Sequence, residues 1–499
     1  MKTSSAVVWN MLRVLLQTFV FLGVGIIVAR LLTPQEIGQV AIVAVFLGFS
    51  ELVASVAVSS SVIQRKDLLP GHINMATLYS IVLGLGLTAA VYFSADAIAD
   101  WFDSDVSLLV QALSPMIFFS TASSVQRGLL MRSMNFKLLT KLDITATFIG
   151  HGLVTVTMAY MGYGVWSMAS GMLVWSILNF LLLWFAAPVR LYRPESLEYF
   201  RDLWSFSLGV SLNNLIGFLT QRTIPMIVGK SLGVDMLGQY SKAVQTCAIP
   251  FTKIAMTISG VMFASYSGIQ GDIEALRRRY LKSVRLVSAT SIPVLFGMWV
   301  SAEYVILGLY GDQWETAVDV FRVLCIGAMF NNVLHLSGAI VQATGNIYRE
   351  VKRQALVYLY LITLCFFVVD YGVISIAWLG VSGAVLLYFL MTSLTNSLLG
   401  IKWREFILAQ LPGFVLGVPL ASAGFLLIEV LYFFSIAGNK ELSLMVLIAG
   451  QGLIYLALIV FIPDKYIGNI KRWVYETYSH KIPKTIEIRL KRLISPSEY

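Results

Sequence analysis

Five basic side chains and one acid, Arg13, Arg222, Lys242, Lys253, Arg322 and Glu51, fall inside apolar stretches where charge is out of place. A charge facing hydrocarbon costs several kcal/mol, so such residues face a polar cavity or a partner of opposite sign. Arg presents a planar fork that matches phosphate, and Lys supplies a point charge, so Arg13, Arg222, Lys242 and Lys253 read as a cationic lining for an anionic ligand, with snorkelling to the outer interface the alternative for Arg222 and Lys242. Glu51 lies about 21 Å from one end of its span and Arg13 about 27 Å from the same end of the neighbouring span, at ~1.5 Å per residue. They stand one helical turn apart in depth, with Gln17 between them, and their pairing has three readings. It is a structural ion pair, or a cavity pair that senses substrate or a proton, or no pair, with Arg13 snorkelling to the interface. Arg322, one turn into its span, reads as interfacial.

Polar neutral residues stack in two further places, Asn213, Asn214 and Gln221 on one span and Asn331, Asn332 and His335 on another. Hydrogen bonding between helices and lining of a cavity both account for them. His335 titrates near neutral pH when unperturbed, yet a lone His is also a common packing residue. The sequence holds no paired-carboxylate dyad, H-x-x-x-H, G-x-S-x-G or P-loop, so no catalytic residue, metal site or cofactor is expected. Cys247, Cys325 and Cys365 lie in apolar runs without a C-x-x-C pair and read as small hydrophobes.

The elements that position these residues are transmembrane helices. Of 499 residues 58% are apolar and 13% charged, and the mean hydropathy is +0.78, whereas soluble domains carry charge on about a quarter of their residues. The apolar residues come in runs of about 20 rather than in alternating ten-residue segments, which excludes an outer-membrane barrel. Fourteen spans are expected, near 6–31, 37–62, 73–94, 106–130, 142–161, 165–187, 204–229, 237–264, 286–308, 317–342, 355–371, 374–400, 407–434 and 442–462. The first is a retained span, since a single Lys precedes it and no small-residue cleavage site follows.

With the N-terminus in the cytoplasm, 28 of the 36 Lys and Arg fall in the inner segments, while the outer 95–106 loop carries Asp96, Asp100, Asp103 and Asp105. This obeys the positive-inside rule with both termini cytoplasmic. The net charge of +9 is therefore a topology signal, and nucleic acid is not needed to explain it. No outer loop exceeds about a dozen residues, too few for a catalytic domain of a membrane glycosyltransferase or polymerase. The basic tail after Pro463 reads as an amphipathic segment on the anionic inner leaflet.

The chain repeats itself after two hundred residues. Between 26/226 and 40/240 there are 5 identities in 15 pairs, including Ile27-Val28 with Ile227-Val228 and Gly38-Gln39 with Gly238-Gln239. Val125-Gln126 and Val341-Gln342 extend the correspondence, so spans one to six match spans seven to twelve. An even number per repeat makes the halves parallel, a transporter architecture with a central cleft. The expected organisation is an N-lobe over 1–203, a C-lobe over 204–402, two appended spans over 403–463 and a cytoplasmic tail over 464–499.

Several motifs carry a resemblance. Ala29-Arg-Leu-Leu-Thr-Pro-Gln-Glu-Ile-Gly38, Gln64-Arg-Lys-Asp67, Arg132-x-x-x-Phe136-Lys137, Leu237-Gly-Gln-Tyr-Ser-Lys-Ala243, Gly311-Asp-Gln-Trp314 and Gln342-Ala-Thr-Gly345, in that order, resemble the polysaccharide-transport flippases. The likeness runs from about residue 5 to about residue 405 and points to the Wzx-type exopolysaccharide and colanic-acid exporters of the multidrug/oligosaccharidyl-lipid/polysaccharide superfamily. It implies alternating-access transfer of undecaprenyl-diphosphate-linked oligosaccharide units from the cytoplasmic to the periplasmic leaflet of the bacterial inner membrane. Arg13, Glu51, Arg222, Lys242, Lys253, Asn331 and His335 are then the candidate substrate contacts. Membrane lipids, a polysaccharide polymerase and a chain-length regulator are the implied partners. Coupling to a proton or sodium gradient is known among relatives and no motif here decides it. A cation/drug antiporter of the same superfamily and a lipid-II flippase are the alternatives; the excess of basic over acidic intramembrane residues argues against the first.

Overall fold

The computed structural model describes residues 3–57, 68–192, 208–248 and 272–463. Helices occupy nearly all of them, and among the described residues there are no strands. The long helices are α1 (Thr3–Leu31), α2 (Pro34–Ala57), α3 (Pro70–Phe93), α4 (Ser107–Arg132), α5 (Phe136–Tyr160), α6 (Val165–Ala186), α7 (Leu208–Ser231) and α8 (234–248). They continue as α9 (Ile273–Val300), α10 (Glu315–Ala343), α11 (Ile347–Val368), α12 (Val373–Leu399), α13 (Trp403–Phe433) and α14 (Lys440–Phe461). Eleven described helices are long and apolar enough to cross a membrane. The other three expected spans, 37–62, 204–229 and 237–264, each run into residues outside the described set.

The chain packs as two compact units, Met1–Ser241 with Gln354–Ile376, and Lys242–Arg353 with Ala377–Tyr499. In the first unit α5 is the central element. Asn135 caps it by accepting from Leu138 N at 3.4 Å. Between Phe148 and Thr155 it widens into a π-helix, a geometry that recurs at functional sites. The widened turn lies against α6 with no room for side chains: a Cβ on Gly150 would fall 2.6 Å from Trp175 N and 2.7 Å from Gly171 O. Small residues let membrane helices approach this closely, so dispersion contacts hold them where no hydrophobic effect operates.

The two copies of the repeated hairpin meet within this unit. A Cβ on Gly38 would run into Val234 O and lie 2.9 Å from Val234 C, and one on Gly238 would run into Pro34 O and lie 2.7 Å from Pro34 C. Each copy thus presses its glycine onto the backbone that begins the other copy. The first copy is held by a capping box: Thr33 N and Oγ1 donate to Glu36 Oε2 at 2.8 and 3.0 Å, and Glu36 N donates to Thr33 Oγ1 at 3.3 Å. The second turns through Gly233 at φ +90°. Lys230 Nζ sits 6.0 Å over the Trp101 ring, an exposed cation–π contact suited to an interfacial anchor.

In the second unit the appended helices α13 and α14 are fastened to α9. A Cβ on Gly413 would lie 2.5 Å from Ser288 O. On α14, Gln451 Nε2 donates to Ser301 Oγ at 2.9 Å and Tyr455 OH to Ala289 O at 2.9 Å. At the end where Lys and Arg concentrate, Arg277 Nη2 clamps both carboxylate oxygens of Glu405 at 2.8 and 2.7 Å. At the opposite end Lys440 pairs with Glu303.

Candidate functional site

Helix α1 packs along α5 through a row of polar and aromatic pairs that advances about one helical turn at a time on both helices. Thr140 Oγ1 donates to Trp9 O at 3.0 Å, Arg13 Nη1 to Asp143 Oδ2 at 2.8 Å, and Gln17 Nε2 to Thr147 Oγ1 at 3.4 Å. Phe21 then meets the His151 ring at 5.0 Å between centroids. Steps of 3–4 residues on each helix keep all these side chains on one face, which is why the seam is continuous. Lys137 Nζ closes its basic end 5.7 Å over the Trp9 ring.

Asp143 is the hub of the seam, its side chain only 3% exposed. Arg127, from the basic end of α4, reaches it with both fork nitrogens, Nη1 to Oδ2 at 3.0 Å and Nη2 to Oδ1 at 2.7 Å. From α6, Asn179 Nδ2 donates to Asp143 Oδ1 at 3.2 Å while Asn179 Oδ1 accepts from Arg127 Nη2 at 3.0 Å. Arg13 Nη2 adds a bond to Asn10 Oδ1 at 2.8 Å. Four helices converge on one carboxylate, whose two oxygens take four hydrogen bonds and are saturated. Two guanidiniums against one carboxylate leave the cluster with a surplus of one positive charge. Both arginines keep part of their surface open, 21% of the Arg13 side chain and 32% of Arg127.

The expected partner of Arg13 was Glu51. Glu51 lies on α2, but its side chain is outside the described residues, and the carboxylate that the structure gives Arg13 is Asp143. Arg127 is counted with the basic inner segment in the sequence reading, and Asp143, at the start of the expected 142–161 span, is not singled out there. The usable signal was that α5 starts at Phe136, which puts Asp143 two turns inside the helix. Arg222 is exposed on α7, its guanidinium carbon 5.9 Å from the Phe218 ring centroid and one of its nitrogens 3.9 Å from where a Cβ on Gly48 would sit. Lys253 lies outside the described residues, as does the side chain of Asn213.

Lys242 is 4% exposed. Its Nζ lies 4.6 Å from the centroid of the Tyr310 ring and 5.6 Å from that of Trp314, and Tyr310 OH shares a 2.9 Å hydrogen bond with Thr246. Two of the sequence motifs, Leu237–Ala243 and Gly311–Trp314, thereby meet in an aromatic cage around one ammonium. Asn331 and His335 are half-buried one turn apart on α10, beside the fully buried Asn332. Arg322 forms an exposed ion pair with Asp319 at 3.0 Å, in keeping with an interfacial place. Among the described residues no group of three or more His, Cys, Asp and Glu is placed to hold a metal ion.

The polysaccharide biosynthesis protein family matches residues 27–319. The chain belongs to that family. It is 24% identical over 438 residues to the lipopolysaccharide biosynthesis protein WzxC of Escherichia coli (strain K12), covering 84% of this chain and 86% of that protein. It is 25% identical to the succinoglycan biosynthesis transport protein ExoT of Rhizobium meliloti (strain 1021), covering 60% and 61%. Among solved structures, the lipid II flippase MurJ in an inward closed conformation superposes with a TM-score of 0.69 at 14% identity, covering 95% of this chain and 99% of that one. An inward-facing multidrug resistance transporter of the MATE family gives 0.62 at 17%, covering 77% and 95%. At such identities these two establish the fold, a multi-span helical membrane protein.

Proposed function

We propose that the chain is a flippase that carries lipid-diphosphate-linked oligosaccharide repeat units from the cytoplasmic to the periplasmic leaflet of a bacterial inner membrane, with both termini in the cytoplasm. The observation that carries this reading is the family match over residues 27–319, joined to curated relatives named for polysaccharide biosynthesis and transport. The site chemistry agrees with it. A cationic cluster suits an anionic diphosphate and repels the organic cations that a drug antiporter exports, and the acid in that cluster, Asp143, is already saturated by two arginines and Asn179. Transfer by alternating access is supported by the repeat, whose two copies meet at Gly38 and Gly238 with little beyond backbone and the Val234 side chain between them.

The test is translocation in vesicles of defined composition. Purified protein is reconstituted with an undecaprenyl-diphosphate-linked oligosaccharide in the lumenal leaflet, and the sugar that becomes reachable by an external glycosidase is measured over time. Transfer above protein-free vesicles is expected. Transfer equal to protein-free vesicles, with the protein shown to be folded and inserted, would refute the reading.

A further inference from the structure

The Arg13, Arg127, Asp143 and Asn179 cluster lies at a particular depth. Asp143 is seven residues from the start of α5 and Arg127 five from the end of α4, about 10 and 8 Å from the basic ends of those helices at ~1.5 Å per residue. The hydrocarbon core is about 30 Å thick inside a bilayer of about 40–45 Å, so this depth is that of the inner phosphate plane and the top of the acyl chains. Arg127 keeps about a third of its side chain accessible, and a guanidinium in a net-positive cluster does not face hydrocarbon. Its open side therefore meets polar headgroups or water.

Among the described residues Arg13 uses two of its five N–H donors and Arg127 three. The donors that remain are held in fixed directions by the buried carboxylate and the Asn179 amide behind them. Preorganised forks of this kind match the geometry of phosphate oxygens. Asp143 neutralises one arginine and leaves one positive charge for a ligand to satisfy.

We propose that Arg13 and Arg127, oriented by Asp143 and Asn179, are the docking site for the diphosphate group as the lipid-linked substrate leaves the inner leaflet. This rests on the flippase reading. Arg127 contacts the ligand, and Asp143 and Asn179 are positioning residues. The same fork would accept the single phosphate of an anionic phospholipid, and the test separates the two.

The probe is geranylgeranyl diphosphate, titrated by calorimetry against the full-length protein in nanodiscs of zwitterionic lipid, with geranylgeranyl monophosphate and phosphatidylglycerol nanodiscs as competitors. Arg127→Lys keeps a cation beside Asp143, so the fold survives, but removes the bidentate fork. It is expected to weaken diphosphate binding by about tenfold and Arg127→Ala by more, as the loss of charged hydrogen bonds implies. Asp143→Asn, similar in shape but without the negative charge that orients both arginines, is expected to lower the preference for diphosphate over monophosphate. Arg322→Ala is the unaffected control. If Arg127→Lys and Arg127→Ala bind diphosphate like the parent while vesicle transfer continues, the docking site is refuted and the flippase reading stands. If phosphatidylglycerol abolishes diphosphate binding in the parent, the cluster is a phospholipid site and the proposal also fails. A parent that binds the probe but transfers nothing in vesicles sinks the flippase reading instead.

Discussion

Alanine at Gly38 should weaken the contact between the two copies of the repeated hairpin, and the sign of the effect is diagnostic. Gly→Ala inside an isolated helix gains about 1 kcal/mol, so a position without tertiary meaning would be stabilised. Here the new Cβ would lie 2.9 Å from Val234 C and closer still to its carbonyl oxygen. Ordinary carbon contacts are about 3.5–4.0 Å, so the helix starts must separate by about 1 Å. The nearest obstacle is backbone, which has no rotamer to change, with Val234 Cγ1 also at 2.9 Å, and overpacking of this kind costs about 1–3 kcal/mol. The net effect is zero to 2 kcal/mol against the closed contact, up to about thirtyfold in its population. Gly238→Ala should act alike, and the double variant should fall short of the sum, because the first Cβ has already opened the gap that the second needs. The assay is cross-linking between cysteines placed at Gln35 and Asp235, both exposed at the starts of the two copies. The native Cys247, Cys325 and Cys365 are buried and give little background. Lower cross-linking in each single variant, with a sub-additive double, is expected; unchanged or higher yield in both singles would refute the packing argument.

Three further perturbations separate structural from ligand roles. Asp143→Ala strands two part-buried guanidiniums and should destabilise the first unit by about 3–5 kcal/mol, the range for a broken buried ion pair, read as a fall in the melting temperature of the purified protein. Thr33→Ala removes the hydroxyl half of the capping box at α2 while leaving the backbone N–H bond to Glu36, and should cost about 0.5–2 kcal/mol, measured by the same melt, with Glu36→Gln milder because its amide oxygen still accepts from Thr33. Lys242→Met fills the Tyr310–Trp314 cage with a neutral chain of similar length, and vesicle transfer should persist near the parental rate; a full loss of transfer would show that the ammonium itself takes part.

The membrane class and the repeat were legible because each rests on local composition or short identities, which survive without knowing any contact. Arg13 and Gln17 were legible as out-of-place polar residues on one helix face. Their partners were not, since Asp143 and Thr147 stand 130 positions further along and the sequence places Asp143 beside a basic loop, where an acid draws no notice. The motifs Leu237–Ala243 and Gly311–Trp314 were visible as words, but nothing in either says that Lys242 of the first is stacked over Trp314 of the second. The closeness of Gly38 to Val234 was equally hidden: a helical glycine reads the same whether it faces lipid, a side chain or another backbone.

The repeat and the charge cluster together show where the two halves of the chain diverge. Asn135 precedes α5 at Phe136, and Asn346 precedes α11 at Ile347, the same residue type at the same place in each half. Eight residues past each Asn the first half has Asp143 and the second has Gln354. At the matching end of the preceding span, Val125-Gln126-Arg127 is answered by Val341-Gln342-Ala343. The second half thus has the helical frame of the first without the carboxylate or the arginine that grips it. Buried ion pairs seldom repay their desolvation, and replacement by neutral residues is often neutral or stabilising. A bundle of this kind can therefore do without such a cluster, as the second half does. Its presence in the first half, built from α1, α4, α5 and α6 at once, is better accounted for by what the arginines hold than by what they contribute to the fold.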